Sequence, residues 1–289
     1  KAKEKLIELM MNFDYENQQI FSYQFSDNTF YEDEYRFDHL SLMKETFNDI
    51  QFVGDEGWAV ASKGIILHSK DKGKNWSISK WGDFNLNNIH MLDNRRGFIA
   101  ADGGILLATD DGGNYWSVID TKDVTLNFRT LSFFENRGIA TGTKGRIYFT
   151  EDAGLNWTLK TINESKRKKK LVDLNSAYFI DKNQIWIAGN DGVILHSTDG
   201  GVTWQPNKFK EYNYYAVTFI NQNEGFIAGE NGIFIHTTNG GVNWKSDTLP
   251  AYKINKFIFS GGTLWVIGNG GTIQKSTDYG KTWHGRSGK

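Results

Sequence analysis

An eight-residue pattern that recurs six times restricts this chain to a repeat fold. Its clearest copy runs from Ser197 to Trp204, and the pattern reads Ser or Thr, any residue, Asp or Asn, any residue, Gly, two further residues, and Trp. The copies end at Trp76, Trp116, Trp157, Trp204, Trp244 and Trp283, at intervals of 40, 41, 47, 40 and 39 residues. A constant period near 40 residues is typical of proteins built from successive copies of one supersecondary unit.

The acidic or amide residue of each copy is interpreted as structural. A hydroxyl and a carboxylate two residues apart suit a tight turn, and the glycine supplies the positive φ that such turns need. A residue required once for catalysis or for a metal has no reason to recur at every repeat. The residues assigned this role are Asp71, Asp111, Asp152, Asp199, Asn239 and Asp278.

Each repeat predicts four β-strands. The first strand alternates apolar and polar residues, and the second opens with a large residue eighteen positions before the Trp. A glycine stands twelve positions before every Trp, which predicts a hairpin turn where a side chain would clash. The third strand is apolar at consecutive positions, as at residues 65–67, which indicates burial on both faces. The Trp is predicted to open the fourth strand, and six such sheets predict an all-β fold, a β-propeller of six blades starting near residue 46.

The N-terminal part of the chain lacks the repeat. Residues 1–18 predict a short helix, because Leu6, Leu9, Met10 and Phe13 share one helical face. Residues 19–45 predict strands that either close the ring of six blades or form an irregular seventh blade. The predicted parts are thus a helical segment, 1–18, and a propeller, 19–289.

Composition removes several classes of function. The 33 basic and 34 acidic residues give a net charge of −1, so no partner is expected among nucleic acids. The absence of cysteine excludes disulfides, thiolate zinc sites and a cysteine nucleophile. No apolar stretch is long enough to span a membrane. The basic run at residues 166–170 predicts a solvated loop, with docking to an acidic surface, a membrane head group or RNA as the alternative.

No group of residues stands out as catalytic, and neither a metal nor a cofactor is predicted. His68, His196 and His236 all lie eight residues before a repeat Trp, which indicates one packing position on the third strand. The glycine-rich stretches do not form a phosphate-binding loop between a strand and a helix.

The six copies resemble the Asp-box (BNR) repeat of β-propellers, and residues 225–232 followed by a box are similar to the photosystem II stability/assembly factor family. This resemblance covers residues 46–289. It implies a non-catalytic, monomeric scaffold that holds a protein or peptide partner, exported to the periplasm or cell surface, with or without a lipid anchor. It also implies that the boxes lie on the outer rim.

A glycan-active or glycan-binding propeller is the alternative, because Asp boxes also occur in sialidases, and carbohydrate is then the ligand. A sialidase-like site needs three arginines around the substrate carboxylate. Arg95, Arg96 and Arg137 instead lie in turns at the same end of the blades as the boxes. The sequence therefore favours a protein without enzymatic activity.

The partner is expected at the opposite end of the blades, where the turns between second and third strands meet the connections between blades. Aromatic and arginine side chains among polar ones are typical of protein-binding surfaces, although some of these aromatics could instead cap the blades. The connections contribute Trp81, Arg129, Tyr212, Tyr214 and Tyr215, and the turns contribute Lys63, Asp102, Lys144, Asp191 and Glu230.

Overall fold

The structure, a computed structural model, describes residues 13–14, 19–20, 45–160 and 172–287. The chain divides into two compact units, Lys1–Thr125 and Leu126–Lys289, called here the first and second unit. Every sheet in both units is antiparallel, and in each four-stranded sheet the strands lie in sequence order.

The first unit contains a short strand pair and two four-stranded blades. The pair joins β1 (Phe13–Asp14) to β2 (Gln19–Ile20). The first blade comprises β3 (Phe47–Val53), β4 (Glu56–Ala61), β5 (Ile65–Ser69) and β6 (Ser77–Lys80). The second comprises β7 (Leu86–Met91), β8 (Gly97–Ala101), β9 (Leu106–Thr109) and β10 (Ser117–Ile119).

The second unit contains four blades. The third blade of the chain comprises β11 (Phe128–Phe134), β12 (Arg137–Gly142), β13 (Ile147–Thr150) and β14 (Thr158–Lys160). The fourth comprises β15 (Leu174–Phe179), β16 (Ile185–Gly189), β17 (Val193–Ser197) and β18 (Gln205–Lys208). The fifth comprises β19 (Tyr214–Phe219), β20 (Gly225–Gly229), β21 (Ile233–Thr237) and β22 (Lys245–Thr248). The sixth comprises β23 (Ile254–Ser260), β24 (Thr263–Gly268), β25 (Thr272–Ser276) and β26 (His284–Arg286).

The fold is a β-propeller of six four-stranded blades, and the predicted all-β class is confirmed. Within the described ranges, helical backbone is confined to the three-residue 3₁₀ turns Ser62–Gly64, Thr143–Gly145 and Asn269–Gly271. None of the helices in this part of the chain is long and apolar enough to cross a membrane.

Two details differ from the sequence-based expectation. Phe13–Asp14 is a strand rather than part of the predicted helix, because its backbone pairs with Gln19–Ile20. The fourth strands begin one residue after the repeat Trp, as Ser77 does after Trp76. The rest of residues 1–18, residues 21–44 and the basic run at 166–170 lie outside the described residues.

The glycine twelve positions before each Trp lies in the turn between the second and third strands, as predicted. All six copies have φ between +64° and +75°. In the second and fifth blades the connection to the next blade lies directly against this turn: a Cβ on Gly104 would stand 1.9 Å from the Asp123 carbonyl oxygen, and one on Gly232 2.0 Å from that of Leu249. At these two positions glycine is therefore required for both its backbone conformation and its lack of a side chain.

The hydrophobic cores lie between neighbouring sheets of a unit. The large residues of the second strands are buried, with Trp58, Trp186 and Phe226 at 0% exposure. The histidines of the third strands stack on them, with ring centroids 4.9 Å apart for His68 on Trp58 and 3.9 Å for His196 on Trp186. Burial lowers the pKa of both imidazoles. The packing role predicted for these histidines is confirmed.

The recurring pattern, called the box below, is a closed hydrogen-bonded turn. In the fourth blade, the Ser197 hydroxyl donates to Asp199 Oδ1 at 2.8 Å and accepts the backbone N–H of Gly201 at 2.7 Å. Asp199 Oδ1 also accepts the backbone N–H of Thr203 at 2.8 Å. The same three bonds occur in the other five boxes.

The box Trp packs against the first strand of the same blade or, as Trp204 does on Phe149, against the preceding blade. Trp76 meets the edge of Phe52 at a centroid distance of 5.8 Å, and Trp157 meets Phe133 at 5.7 Å. The indole N–H of Trp157 also donates to the carbonyl of Gly154, inside its own box, at 3.1 Å. The box thus links the local turn to the packing of the blade.

The box carboxylates make the fold less stable as the solution becomes acidic. Donation by the Thr203 hydroxyl and backbone N–H lowers the pKa of Asp199 to about 2. The pKa of this group in an unfolded chain is about 3.9. Its contribution to stability is therefore complete above about pH 4 and is lost as the pH falls towards 2.

We expect Asp199→Asn to reduce the loss of stability between pH 5 and pH 2.5. An amide oxygen accepts the same backbone bond without titrating, as Asn239 does from Asn243 at 2.9 Å in the fifth blade. Urea unfolding midpoints of both proteins at the two pH values measure the effect. An identical pH dependence in the two proteins would contradict this account of the box.

The turn glycines allow conformational strain to be separated from steric clash. Gly232 and Gly262 have φ of +71° and +76°, but a Cβ on Gly262 meets nothing within 4 Å. Gly262→Ala should cost about 1–2 kcal/mol, the penalty for an L-residue in this conformation. Gly232→Ala should cost at least ~2 kcal/mol more, because the connection must move. Urea unfolding measures both, and equal costs would be inconsistent with the close approach of Leu249.

Candidate partner-binding site

Each blade carries a β-bulge at the second residue of its first strand. The register with the second strand shifts at this residue in all six blades. A bulge turns a side chain out of the regular ladder and is common at functional sites. The bulged residues are Asn48, Asn87, Arg129, Asn175, Tyr215 and Asn255.

The four asparagines at this position are bound within the fold. Asn175 Nδ2 donates to Asn190 Oδ1 at 2.7 Å and to the carbonyl of Tyr214 at 2.8 Å. Asn87 and Asn255 likewise donate to a turn residue of their own blade, and Asn48 donates to the carbonyl of Leu86. These amides therefore tie the first strand to the neighbouring turn or strand.

Arg129 and Tyr215 depart from this pattern, and Lys253 joins them. The Arg129 side chain is exposed, and its guanidinium lies 3.8 Å from a carboxylate oxygen of Asp173. Lys253 Nζ lies 3.7 Å from the centroid of the Tyr215 ring. The second unit thus presents two cations and a phenol, called here the Arg129 cluster: Arg129, Tyr215 and Lys253.

Electrostatics connects the three members of the cluster. Burial lowers the pKa of Lys253, and the positive charge of Arg129 lowers it further. Burial raises the pKa of Tyr215 and the negative charge of Glu230 adds to the rise, while Arg129 opposes it. The charge of the guanidinium therefore influences the pKa of both of the other groups.

Two carboxylates border the cluster and accept hydrogen bonds from backbone and side-chain amides. Glu230 accepts the backbone N–H of Asn213 at 3.1 Å and its side-chain amide at 3.0 Å. Asp173 accepts the backbone N–H of Lys144 at 3.2 Å. Arg129 and Lys253 carry the positive charge of the cluster, and the arginine fork suits a carboxylate or a carbonyl of a bound chain.

Tyr214, one of the predicted binding residues, is buried in the core of the second unit. Its side chain is only 1% exposed, and its hydroxyl donates to the carbonyl of Lys210 at 3.4 Å. Burial, with an added contribution from Tyr212, raises its pKa to about 12. The residue pairs with Gly229 in the regular ladder and faces the core, whereas the bulge turns the next residue, Tyr215, outward.

The other predicted residues fall into two groups. Tyr212 is half-buried and packs on the core of the second unit, so it acts as a cap. Lys144 and Asp191 occupy exposed turns of that unit at φ of 59° and 53°. In the first unit, Lys63 Nζ binds Glu45 at 2.6 Å, and the indole N–H of Trp81 donates to the carbonyl of Trp116 at 3.3 Å. Asp102 lies in the same unit.

Sequence reasoning missed Lys253 and Asp173. Both directly precede a first strand, the position that Asn213 holds in the fifth blade. Comparison of the six repeats at this position shows one lysine and one aspartate among mostly polar, uncharged residues. That comparison would have identified them.

The arginines at the box end are already bonded. Arg96 Nε lies 2.9 Å from Asp93, and Arg95 Nε donates to the carbonyl of Asp110 at 3.2 Å. Arg137 binds Glu151 and donates to the carbonyl of Gly200. Across residues 45–160 and 172–287, no group of three or more His, Asp or Glu side chains is arranged to hold a metal ion.

Comparison with known families gives a match over most of the repeats. The family described as photosynthesis system II assembly factor YCF48 matches residues 27–83, 123–213, 165–251 and 208–287. A curated relative, the photosystem II assembly lipoprotein Ycf48 of Synechococcus sp. (strain CC9902), is 29% identical over 70 residues. That alignment covers 24% of this chain and 20% of the relative, so it spans about a fifth of the relative's length.

Solved structures share the fold. A structure described as YCF48 bound to D1 peptide has a TM-score of 0.65 at 20% identity and covers 83% of this chain and 81% of its own. YCF48 from Cyanidioschyzon merolae has a TM-score of 0.64 at 19% identity, with 83% and 84% covered. An ancestral GH74 enzyme has a TM-score of 0.64 at 13% identity and covers 80% of this chain but 36% of its own.

The assignment of the two adjacent tyrosines is testable through stability. Tyr214→Ala should cost about 3–5 kcal/mol, the range for removing a buried aromatic ring. Tyr215→Ala should cost less than about 1.5 kcal/mol, because its half-buried ring leaves no comparable cavity. Urea unfolding of the two variants measures both values. Equal costs, or a larger cost for Tyr215→Ala, would contradict the position of the bulge.

Proposed function

Because the chain belongs to the family of photosynthesis system II assembly factor YCF48, we propose that it is a non-catalytic scaffold that binds a polypeptide partner at the Arg129 cluster. The observation that carries this proposal is the replacement of the internally bonded asparagine by Arg129 and Tyr215, with Lys253 over the tyrosine ring. At these two bulges the side chain faces outward, whereas the other four blades have an asparagine there that bonds within the fold.

The chemistry of the cluster suits a polypeptide. Arginine donates a planar fork to carboxylates and carbonyls, and tyrosine offers an apolar ring with a polar tip. Both residue types dominate the energetics of protein interfaces. A solved relative is described as bound to a D1 peptide, which supports a peptide as the class of ligand.

The absence of enzymatic activity is supported by how the carboxylates are used. A glycosidase needs two carboxyl groups about 5–9.5 Å apart that face a substrate. The box carboxylates instead accept backbone N–H groups of their own turns, as Asp199 does. Carbohydrate binding remains the rival function, since the GH74 enzyme shares the fold.

We further propose that the protein is exported and acts at the periplasmic or cell-surface side of a membrane. The Synechococcus relative is named a lipoprotein, which supports this location and a lipid anchor. The Arg129 cluster is complete within one chain, which supports a monomer.

A peptide array tests the proposal. The protein is probed against synthetic 15-residue peptides that tile the exported and membrane proteins of its source. We expect binding to a restricted set of peptides, reduced at least ~10-fold in the Arg129→Ala/Lys253→Ala double variant, since each charged contact contributes about 1.5–3 kcal/mol. The control, Lys182→Ala/Lys245→Ala, removes two exposed cations elsewhere in the second unit.

Two results would contradict the proposal. The first is the absence of any peptide whose binding depends on Arg129 and Lys253. The second is turnover of fluorogenic sialosides or other glycosides that a single carboxylate substitution abolishes, which would establish the rival enzymatic function.

A further inference from the structure

The first unit carries an aromatic pair at the same end of its blades as the turns between second and third strands. Trp81 and Phe84 lie in the connection between β6 and β7, with ring centroids 6.4 Å apart and planes inclined by 37°. The indole of Trp81 is fixed by its hydrogen bond to the Trp116 carbonyl and by packing on the core of the first unit. Phe84, in contrast, is 42% exposed.

The turn of the second blade leaves the Phe84 ring uncovered. Gly103 lies at φ +72°, and a Cβ there would stand 3.4 Å from the ring. The corresponding residue is Lys63, Lys144, Asp191 or Asn231 in four of the other blades. Glycine at this position therefore keeps a side chain away from an aromatic surface.

A carboxylate lies beside this surface and is oriented by neutral groups. Asn85 Nδ2 donates to Asp102 Oδ2 at 2.9 Å, and Asn87 Nδ2 donates to Oδ1 at 2.8 Å. The backbone N–H of Asp102 also donates to the carbonyl of Asn85, the residue after Phe84, at 3.0 Å. Each carboxylate oxygen retains a second acceptor site, because an ionised carboxylate offers about four in total.

Two lysines at the same end of the first blade have carboxylate partners of their own. Lys63 Nζ binds Glu45 at 2.6 Å, and Lys80 Nζ binds Asp83. The amides that orient Asp102 carry no charge. The surface formed by Trp81, Phe84 and Asp102 thus combines aromatic faces with a fixed negative charge.

We propose that this surface, called here the arginine surface, binds an arginine side chain of a polypeptide partner. A guanidinium stacks on aromatic rings and donates two parallel N–H groups to a carboxylate, so it satisfies both parts of the surface together. A lysine ammonium can meet the charge but lacks the planar fork. The inference rests on the proposed function only in taking a polypeptide as the partner, since the Arg129 cluster belongs to the second unit.

Small blocked peptides test the arginine surface directly. Saturation-transfer NMR of the full chain with acetyl-Gly-Arg-Gly-amide should show transfer to the arginine side-chain protons. The same peptide with citrulline, a neutral group of similar shape, should bind at least ~10-fold more weakly because it lacks the charge. The lysine peptide should bind about 3- to 10-fold more weakly, because it loses the stacked fork.

Variants assign the binding to the surface. Asp102→Asn and Phe84→Ser should each weaken binding of the arginine peptide at least ~5-fold, and circular dichroism checks that both remain folded. Asp55→Asn is the matched control, because Asp55 is an exposed carboxylate of the same unit, paired with Lys72 at 3.1 Å, at the other end of its blade. It should leave binding unchanged.

The outcomes separate this inference from the proposed function. Equal binding of the arginine and citrulline peptides, no binding at all, or unchanged binding in Asp102→Asn would overturn the arginine surface. Transfer to methyl β-glucoside instead of the peptide would also overturn it, in favour of a carbohydrate. If the arginine peptide still binds to the Arg129→Ala variant, the arginine surface is supported even when the peptide array finds no ligand. That variant disrupts only the Arg129 cluster, which belongs to the other unit.

Discussion

The hydroxyl–carboxylate–amide hydrogen bonds of the box are the interaction on which the rest of the fold depends. Each box ends a third strand, closes a tight turn and begins a fourth strand, using only groups within eight residues of one another. The Trp then packs on the first strand of the same blade, as Trp157 does on Phe133, or on the preceding blade, as Trp204 does on Phe149. Local bonding and the packing of each blade are in this way set by one short segment.

The two ends of the blades differ in how their polar side chains are used. At the box end, the carboxylates and arginines are hydrogen-bonded within the fold: Asp199 accepts backbone N–H groups, and Arg137 bridges Glu151 to the carbonyl of Gly200. At the other end, the bulged residue of the first strand is free to vary. Asparagine at this position hydrogen-bonds within the fold. Arg129 and Tyr215 depart from this pattern, as residues at functional sites often do.

Much of the fold follows from the spacing of residues. The six boxes, the turn glycines such as Gly232 and the buried large residues such as Trp186 recur at constant offsets, so the blades and their strands were predictable. The stacking of His196 on Trp186 followed from the shared position of the histidines. These features recur because every blade packs in the same way.

The site was less predictable because it depends on departures from the repeat. Alternation along a strand cannot locate a bulge, so Tyr214 and Tyr215 looked equivalent although one is buried and the other bears Lys253 on its ring. The amides that orient Asp102 come from the first strand of the same blade and from the connection that leads into it, which no short motif reveals. At Phe13, pairing with Ile20 replaced a helix that apolar spacing favoured.

Hydrogen exchange of the full chain, with and without a bound peptide, tests the central claim most directly. The claim is that the boxes hold the blades and that the opposite ends bind the partner. A peptide captured by the protein should slow amide exchange at residues 128–130, 213–216 and 252–254 and leave the boxes at 150–157 and 197–204 unchanged. Protection confined to the boxes would contradict the account.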